Sequence, residues 1–401
     1  MNYDVIIIGA GPAGLALACS LKNTGLDILI IEKSTLDTIQ DPVIDGRDIA
    51  LTHLSRKLLT KQGVWSRIPP TSVHTIRKAQ VLDGDSRYCL DFDNEQTTTD
   101  ALGYLVANHV IRKALHEQVT TLSSVKVLTG MSADAVHTDD HIATVRLSNG
   151  ETISARLLVA ADSRFSETRR RMGISADMHD FGRVAIVCRM EHELANDGTA
   201  FECFHYGRTL AVLPLSDKLS SIVITAPTDV AEEILGMDEA LLNADIRQRF
   251  HNRLGGMKLT GQLYPYPLVA VHARKFVAKR FAVIGDAAVG MHPVTAHGFN
   301  LGLRGQDTLA TGIKAALRQG TDIAALGVLD KYQTTHRRVT RPLYAGTNHI
   351  VSLFTDDRPP AKILRKLALR FGNHFPPVKR MISNQLTEMD ASRNTVLRFT
   401  L

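Results

Sequence analysis

Cysteine is scarce and scattered. The four residues, Cys19, Cys89, Cys188 and Cys203, form no C-x-x-C pair. That spacing excludes a disulfide framework and a cysteine zinc site, and it fits a reducing cytoplasm. Long apolar runs are also missing. No stretch approaches the roughly 18–20 apolar residues of a membrane span. The first apolar run, Val5 to Ile8, is too short for the core of a secretory signal and leads straight into glycines. Membrane contact, if made, is therefore expected to be peripheral. Charge of one sign does not dominate: the net charge is +6 over 401 residues, and no nucleic-acid-binding module accompanies it. No carboxylate or histidine cluster of metal-ligand spacing occurs, so no metal is expected. Repeats and low-complexity segments are absent.

What is present is ordinary globular material, 44% hydrophobic and 22% charged, enough for a large core and about two domains. Val5-Ile6-Ile7-Ile8 is a β-branched run of the kind buried in parallel sheets. Gly14 to Asn23 carries small and apolar residues at helical spacing, and Gly25 stops it. Ile28 to Ile31 is a second buried strand, so the N-terminus reads as one βαβ unit. Further buried strands are predicted at Leu157–Ala161 and Phe281–Ile284, with helices from Asn108 and from about Phe299 to Leu317. Residues 71–97 and about 181–228 read as β-rich, and 322–401 as mostly helical.

The fold class expected is α/β: a Rossmann-like doubly wound domain with an inserted antiparallel β-sheet domain and a helical C-terminus. The doubly wound part would comprise 1–70, 98–180 and 272–340. The β-rich substrate part would comprise 71–97 and 181–271, leaving 341–401 as a helical region.

The strongest motif is Gly9-Ala10-Gly11-Pro12-Ala13-Gly14, between the first strand and the first helix. Gly9 permits the tight turn, Gly11 lets backbone approach a diphosphate, and Gly14 lets helix and strand pack closely. The helix N-terminus offers N–H groups and positive potential to phosphates. Glu32, followed by Lys33, ends the second strand where a carboxylate accepts hydrogen bonds from ribose hydroxyls and disfavours a 2′-phosphate.

A second motif, Gly285-Asp286-Ala287-Ala288, follows the late buried strand. Asp286 stands where a doubly wound sheet holds its ligand and suits a ribityl hydroxyl; alone, it would equally serve as a helix N-cap. Pro293 to Asn300 then brings small residues and a helix N-terminus toward a flavin ring.

In these motifs the chain resembles the group A flavoprotein monooxygenases of the para-hydroxybenzoate hydroxylase type, and within them the ubiquinone-biosynthesis hydroxylases. Gly9 to Gly14 with Glu32 is similar to the family's ADP-binding fingerprint. Gly285 to Ala288, His292-Pro293 and Gly298-Phe299-Asn300-Leu301-Gly302 are similar to its ribityl and isoalloxazine segment. Asp162, Ser166 and Arg169 are similar to its middle motif. Asp45 to Leu51 resembles the stretch whose arginine, here Arg47, approaches the flavin, and Arg112 matches the arginine on the diphosphate side. The chain departs from the family at Ser163, Val289, Ala296 and His297, where Asp-Gly, GDAAH and Gly-Gln-Gly are usual. These departures resemble a separate branch close to the demethoxyubiquinone-type hydroxylases.

The resemblance implies bound FAD, transient NADH or NADPH, and O₂. It implies transfer of OH from a flavin C4a-hydroperoxide to an electron-rich phenol or quinol carrying a polyprenyl tail. Other readings of the same fold are a soluble aromatic hydroxylase, a prenyl reductase, or a non-catalytic flavin-binding accessory subunit of a quinone-biosynthesis complex. The sequence speaks against a halogenase, because the single Trp65 cannot form that group's paired-tryptophan motif. His297 reads either as a hydrogen-bond donor or proton relay over the flavin, or as a loop histidine that only packs. Phe201 to Tyr206 and Leu210 to Leu215 are candidate pocket-lining segments. Finally, 358–387 holds seven Lys or Arg and no acid. A cationic amphipathic helix there would lie on an anionic inner-membrane surface, or equally pack on its own domain or a partner.

Overall fold

A computed structural model describes residues 2–84, 89–93, 101–205, 207–292 and 297–355, with Arg358 and the Thr387–Glu388 pair. The Asn2–Ile8 strand lies at the centre of the first sheet, parallel to Ile28–Glu32 on one side and Thr152–Ala160 on the other. Phe281–Val283 and Val125–Thr129 extend the parallel array outward. The Ala143–Leu147 and Ala133–Thr138 strands add an antiparallel flank. Val5, Ile6 and Ile7 are fully buried, each contributing about 1.5–3 kcal/mol of apolar burial. Continuous apolarity is what a strand covered on both faces requires.

The Pro12–Ser20 helix follows directly. Pro12 sits at its first turn, where a missing N–H costs nothing. Every residue from Gly14 to Ser20 is buried, so this short helix is enclosed on all sides. Gly25, at φ 76°, turns the chain toward the next strand. The Asn108–Thr120 and His297–Arg318 helices pack against it.

A second sheet of eight strands lies beside the first, built mainly from Ala176–His192, Thr199–His205, Arg208–Ser216, Leu219–Pro227 and Met257–Ala273. Its pairings are antiparallel except one: Lys78–Asp83 runs parallel to Thr199–His205. Within 71–97, His74–Ile76 joins a separate three-stranded sheet with Gly103–Ala107 and Asp48–Leu51 instead. The second sheet's outer face packs on the Thr228–Leu235 and Glu239–Arg249 helices around Phe250.

The Leu326–Thr355 helix packs along His297–Arg318 and contains Pro342. Thr387 and Glu388 return to the first domain, where Glu388 accepts from Thr52 Oγ1 at 2.8 Å and pairs with Arg304 at 3.2 Å. Among the described residues no helix is long and apolar enough to cross a membrane, and no group of His, Cys, Asp and Glu is arranged to hold a metal. The basic stretch 358–387 lies almost wholly outside the described residues, which include only Arg358 and Thr387 of it.

Candidate FAD site

The glycine loop is built by close approach. Gly9 has φ 110°, and a Cβ on it would stand 2.5 Å from the Ala161 carbonyl oxygen. A Cβ on Gly14 would stand 2.1 Å from the Gly9 carbonyl oxygen. Both positions therefore require glycine. Gly11 meets only one atom, at 3.9 Å, so its outer side is open. It is the N-cap of the helix and offers no side chain to its N–H groups. Those donors remain for an anion.

Glu32 folds back on this loop. Its Oε2 accepts from the Ala10 N–H at 2.7 Å and its Oε1 from the Ser34 N–H at 2.9 Å. Each oxygen keeps a second lone pair, so the carboxylate braces the loop and can still accept from a ribose. Lys33 beside it is exposed. Arg112 projects half-buried from the Asn108–Thr120 helix, which packs on the Pro12–Ser20 helix.

The late motif meets the early one at Gly285 and Ala13. Gly285 has φ 59°, and a Cβ there would stand 2.6 Å from the Ala13 Cβ. Gly302 packs against Gly285 from the other side. Asp286 heads the exit of the Phe281–Val283 strand with its side chain 43% exposed, and pairs with Arg164 at 3.4 Å. Arg164 also donates to the Val269 carbonyl at 3.1 Å.

The middle motif completes the junction. Asp162 Oδ2 accepts from the Thr168 N–H at 3.3 Å, while its Oδ1 is buried without a partner. Arg169 is buried and donates to the carbonyls of Ala287 at 2.7 Å and Arg164 at 3.2 Å. It therefore ties Asp162's loop to the Asp286 turn.

Arg47 is held by its own neighbours. It pairs with Asp45 at 2.5 Å and lies over the Tyr266 ring at 5.1 Å. Tyr266 donates to the Asp45 carbonyl, and Asn108 donates to the Asp45 carboxylate. That pairing with Arg47 and the amide keep the Asp45 carboxyl below its usual range, although burial acts the other way.

At the head of the His297–Arg318 helix, His297 is buried, Gly298 faces open space, and Phe299 is partly packed in the core. Asn300 bridges inward: it donates to the Ala50 carbonyl at 2.8 Å and accepts from the Thr52 N–H and the Ser55 hydroxyl. Its amide thus pins the helix to the stretch that carries Arg47. Pro293 lies outside the described residues.

These features fit FAD. Bare helix N–H groups behind an open glycine, an accessible strand-end carboxylate and an orphaned buried acceptor are the groups a dinucleotide with sugar hydroxyls would satisfy.

Comparison with known proteins agrees. A family described as FAD binding domain matches residues 2–346. Ubiquinone hydroxylase UbiM of Neisseria meningitidis is 49% identical over 391 residues, 96% of this chain and 85% of that protein. Ubiquinone hydroxylase UbiL of Rhodospirillum rubrum is 32% identical, over 94% of this chain and 88% of that one. The chain belongs to the ubiquinone-hydroxylase family of group A FAD-dependent monooxygenases.

This hydroxylase also shares its fold with p-nitrophenol 4-monooxygenase PnpA of Pseudomonas putida, at a TM-score of 0.77 and 19% identity, covering 96% of this chain and 98% of that one. FAD is its cofactor. The sequence motifs bring Gly9, Gly11, Pro12, Ala13, Gly14, Glu32, Asp162, Gly285 and Asp286 to one end of the parallel sheet. Sequence reasoning missed Arg164 and Tyr266. Arg164 carries a weak signal, a cation two residues past the Asp162 strand end; Tyr266 carries none, since it reaches Arg47 from a distant strand.

Proposed function

We propose that this hydroxylase acts on the aromatic ring of a prenylated phenol or quinol precursor of ubiquinone, with NADH or NADPH as reductant and O₂ as oxidant. The observation that carries the reading is the 49% identity to a ubiquinone hydroxylase across nearly the whole chain. Bound FAD would supply the reduction of O₂ and the transfer of one oxygen atom to the ring. The chain's own residues hold and orient it. Gly11 and the Pro12–Ser20 helix N-terminus would bind the diphosphate, with Arg112 beside it. Glu32 would take the ribose and Asp286 the ribityl chain. Arg47, released from Asp45, would approach the ring system, with His297, Gly298, Phe299 and Asn300 on its other side.

On this reading, 1–70, 98–180 and 272–340 form the FAD-binding part, 71–97 and 181–271 the ring-binding part, and 341–401 a helical region that attaches the enzyme to a membrane surface through 358–387. The 27% identity over 94% of this chain to the 3-demethoxyubiquinol 3-hydroxylase of Escherichia coli supports a place near the demethoxyubiquinone-type branch.

The test is the quinone-lipid mass profile of cells with and without the gene. Loss of ubiquinone with build-up of a precursor short of one hydroxyl supports the reading, and the precursor's structure names the carbon. An unchanged profile in a strain with no second hydroxylase overturns it.

A further inference from the structure

One row of the second sheet sets a carboxylic acid among apolar side chains. Glu202 stands opposite Val81 on one neighbouring strand and Ala211 on the other. The row continues through Val223 and Val187 to Tyr264. Directly paired residues share a face of the sheet, and successive residues alternate faces. The residues on either side of Glu202, Phe201 and Cys203, point to the outer face and pack around Phe250. Glu202 therefore points to the inner face.

That face looks toward the cofactor domain. Ala200, one pleat from Glu202, packs with Ala50 and Leu105. Tyr264, in the same row, lies directly against Gly46, and Tyr266 holds Arg47. The acid thus shares its face with the side chains that grip the Asp45–Arg47 turn.

Glu202 is deep in the molecule, yet the residue is only partly buried from solvent. It makes no hydrogen bond or ion pair among the described residues. Burying an unpaired carboxylate is unfavourable by several kcal/mol, and no cation or donor among the described residues compensates it.

We propose that Glu202 is the proton acceptor for the ring hydroxyl of the substrate, with Val81, Ala211 and Val223 bedding the ring's apolar substituents. The assignment rests on the phenol or quinol reading given above. The phenolic O–H bond breaks, its proton passes to a Glu202 carboxylate oxygen, and the electron pair stays on the ring oxygen. That charge spreads to the ring carbons ortho and para to it, which become better acceptors of an electrophilic oxygen. The proton later lost from the hydroxylated carbon restores the phenol, and Glu202 returns its own proton to solvent as product leaves.

Burial raises the Glu202 carboxyl to about 8. A phenol ionises near pH 10 and an ordinary carboxylate near 4, so the raised group is much the better matched base. Among the described residues, other titratable groups on this side of the sheet include Asp83 on the Val81 strand, the Asp48–Arg189 pair at 2.8 Å, His74, His109 and Tyr264. Comparison of Glu202 with its amide isolates its contribution from theirs.

The experiment uses the purified FAD-loaded enzyme and an ortho-prenylated phenol with a single isoprene unit. Hydroxylated product is measured against pH, with reduced nicotinamide supplied. Wild type should show kcat/KM rising about tenfold per pH unit up to a limb near 8 and then levelling. Glu202→Gln should lose that limb and turn over about 100-fold more slowly at pH 8. Glu202→Leu should keep its flavin and melt at a higher temperature than wild type, because it removes an unpaired buried acid, while losing turnover. A limb that persists in Glu202→Gln, or a Glu202→Leu protein that melts lower than wild type, overturns the assignment. If wild type itself forms no hydroxylated phenol, the substrate reading fails and takes this inference with it.

Discussion

Gly285 and Ala13 leave no room between them: a Cβ on Gly285 would stand 2.6 Å from the Ala13 Cβ. This contact joins the strand-end turn bearing Asp286 to the first turn of the helix that faces the diphosphate. Gly285→Val should combine that clash with strain at φ 59°, at about 1–3 kcal/mol for the backbone alone. The flavin-to-protein absorbance ratio of the purified variant should fall well below wild type. A fully flavinated variant would show that the contact does not position the cofactor.

Arg169 is expected to be structural glue at the same junction. Its buried guanidinium donates to the Ala287 carbonyl. Arg169→Met should destabilise the fold by about 1.5–3 kcal/mol, the worth of a hydrogen bond to a charged group. Urea unfolding followed by flavin fluorescence measures it.

Acid should weaken the fold before it protonates the carboxylates. Burial lowers His336 from 6.5 to about 3 and His292 from 6.5 to about 4. Both are neutral in the folded state, while the unfolded chain binds their protons below pH 6.5. Stability is therefore fully present above about 6.5 and is lost as pH falls, at about 1.4 kcal/mol per unit for each group. The loss continues to about pH 4 for His292 and pH 3 for His336. His336→Leu should shallow the slope by one proton, which melting temperatures from pH 7 to 4.5 would detect.

How much of this was readable beforehand follows from distance along the chain. The Gly9–Gly14 loop and Asp286 were legible because strand, turn and carboxylate are contiguous, so local sequence carries the geometry. The inward turn of Asn300 was not, since its partners Ala50, Thr52 and Ser55 are far away in sequence. The same holds for the contact of Arg47 with Tyr266, which lies on a distant strand. The parallel pairing of 78–83 with 199–205 left no local mark either, because side chains alternate between faces in parallel and antiparallel strands alike.

Glu388 also sits at this junction. Glu388 is almost wholly buried and pairs with Arg304 while accepting from Thr52, next to the Asn300 hub. Glu388→Ala should cost about 1–3 kcal/mol by stranding those partners. Faster flavin release on dilution should accompany it. Unchanged release would separate Glu388 from the cofactor.

Insertion of oxygen into a prenylated phenolic ring is the proposed reaction. The most direct measurement is turnover of the purified, FAD-loaded enzyme with reduced nicotinamide and isotopically labelled O₂, read by mass spectrometry of the ring product. One labelled oxygen atom is expected in the product, formed in step with nicotinamide oxidation. Consumption of nicotinamide with no label in the ring, across prenylated phenols and quinols, would contradict it.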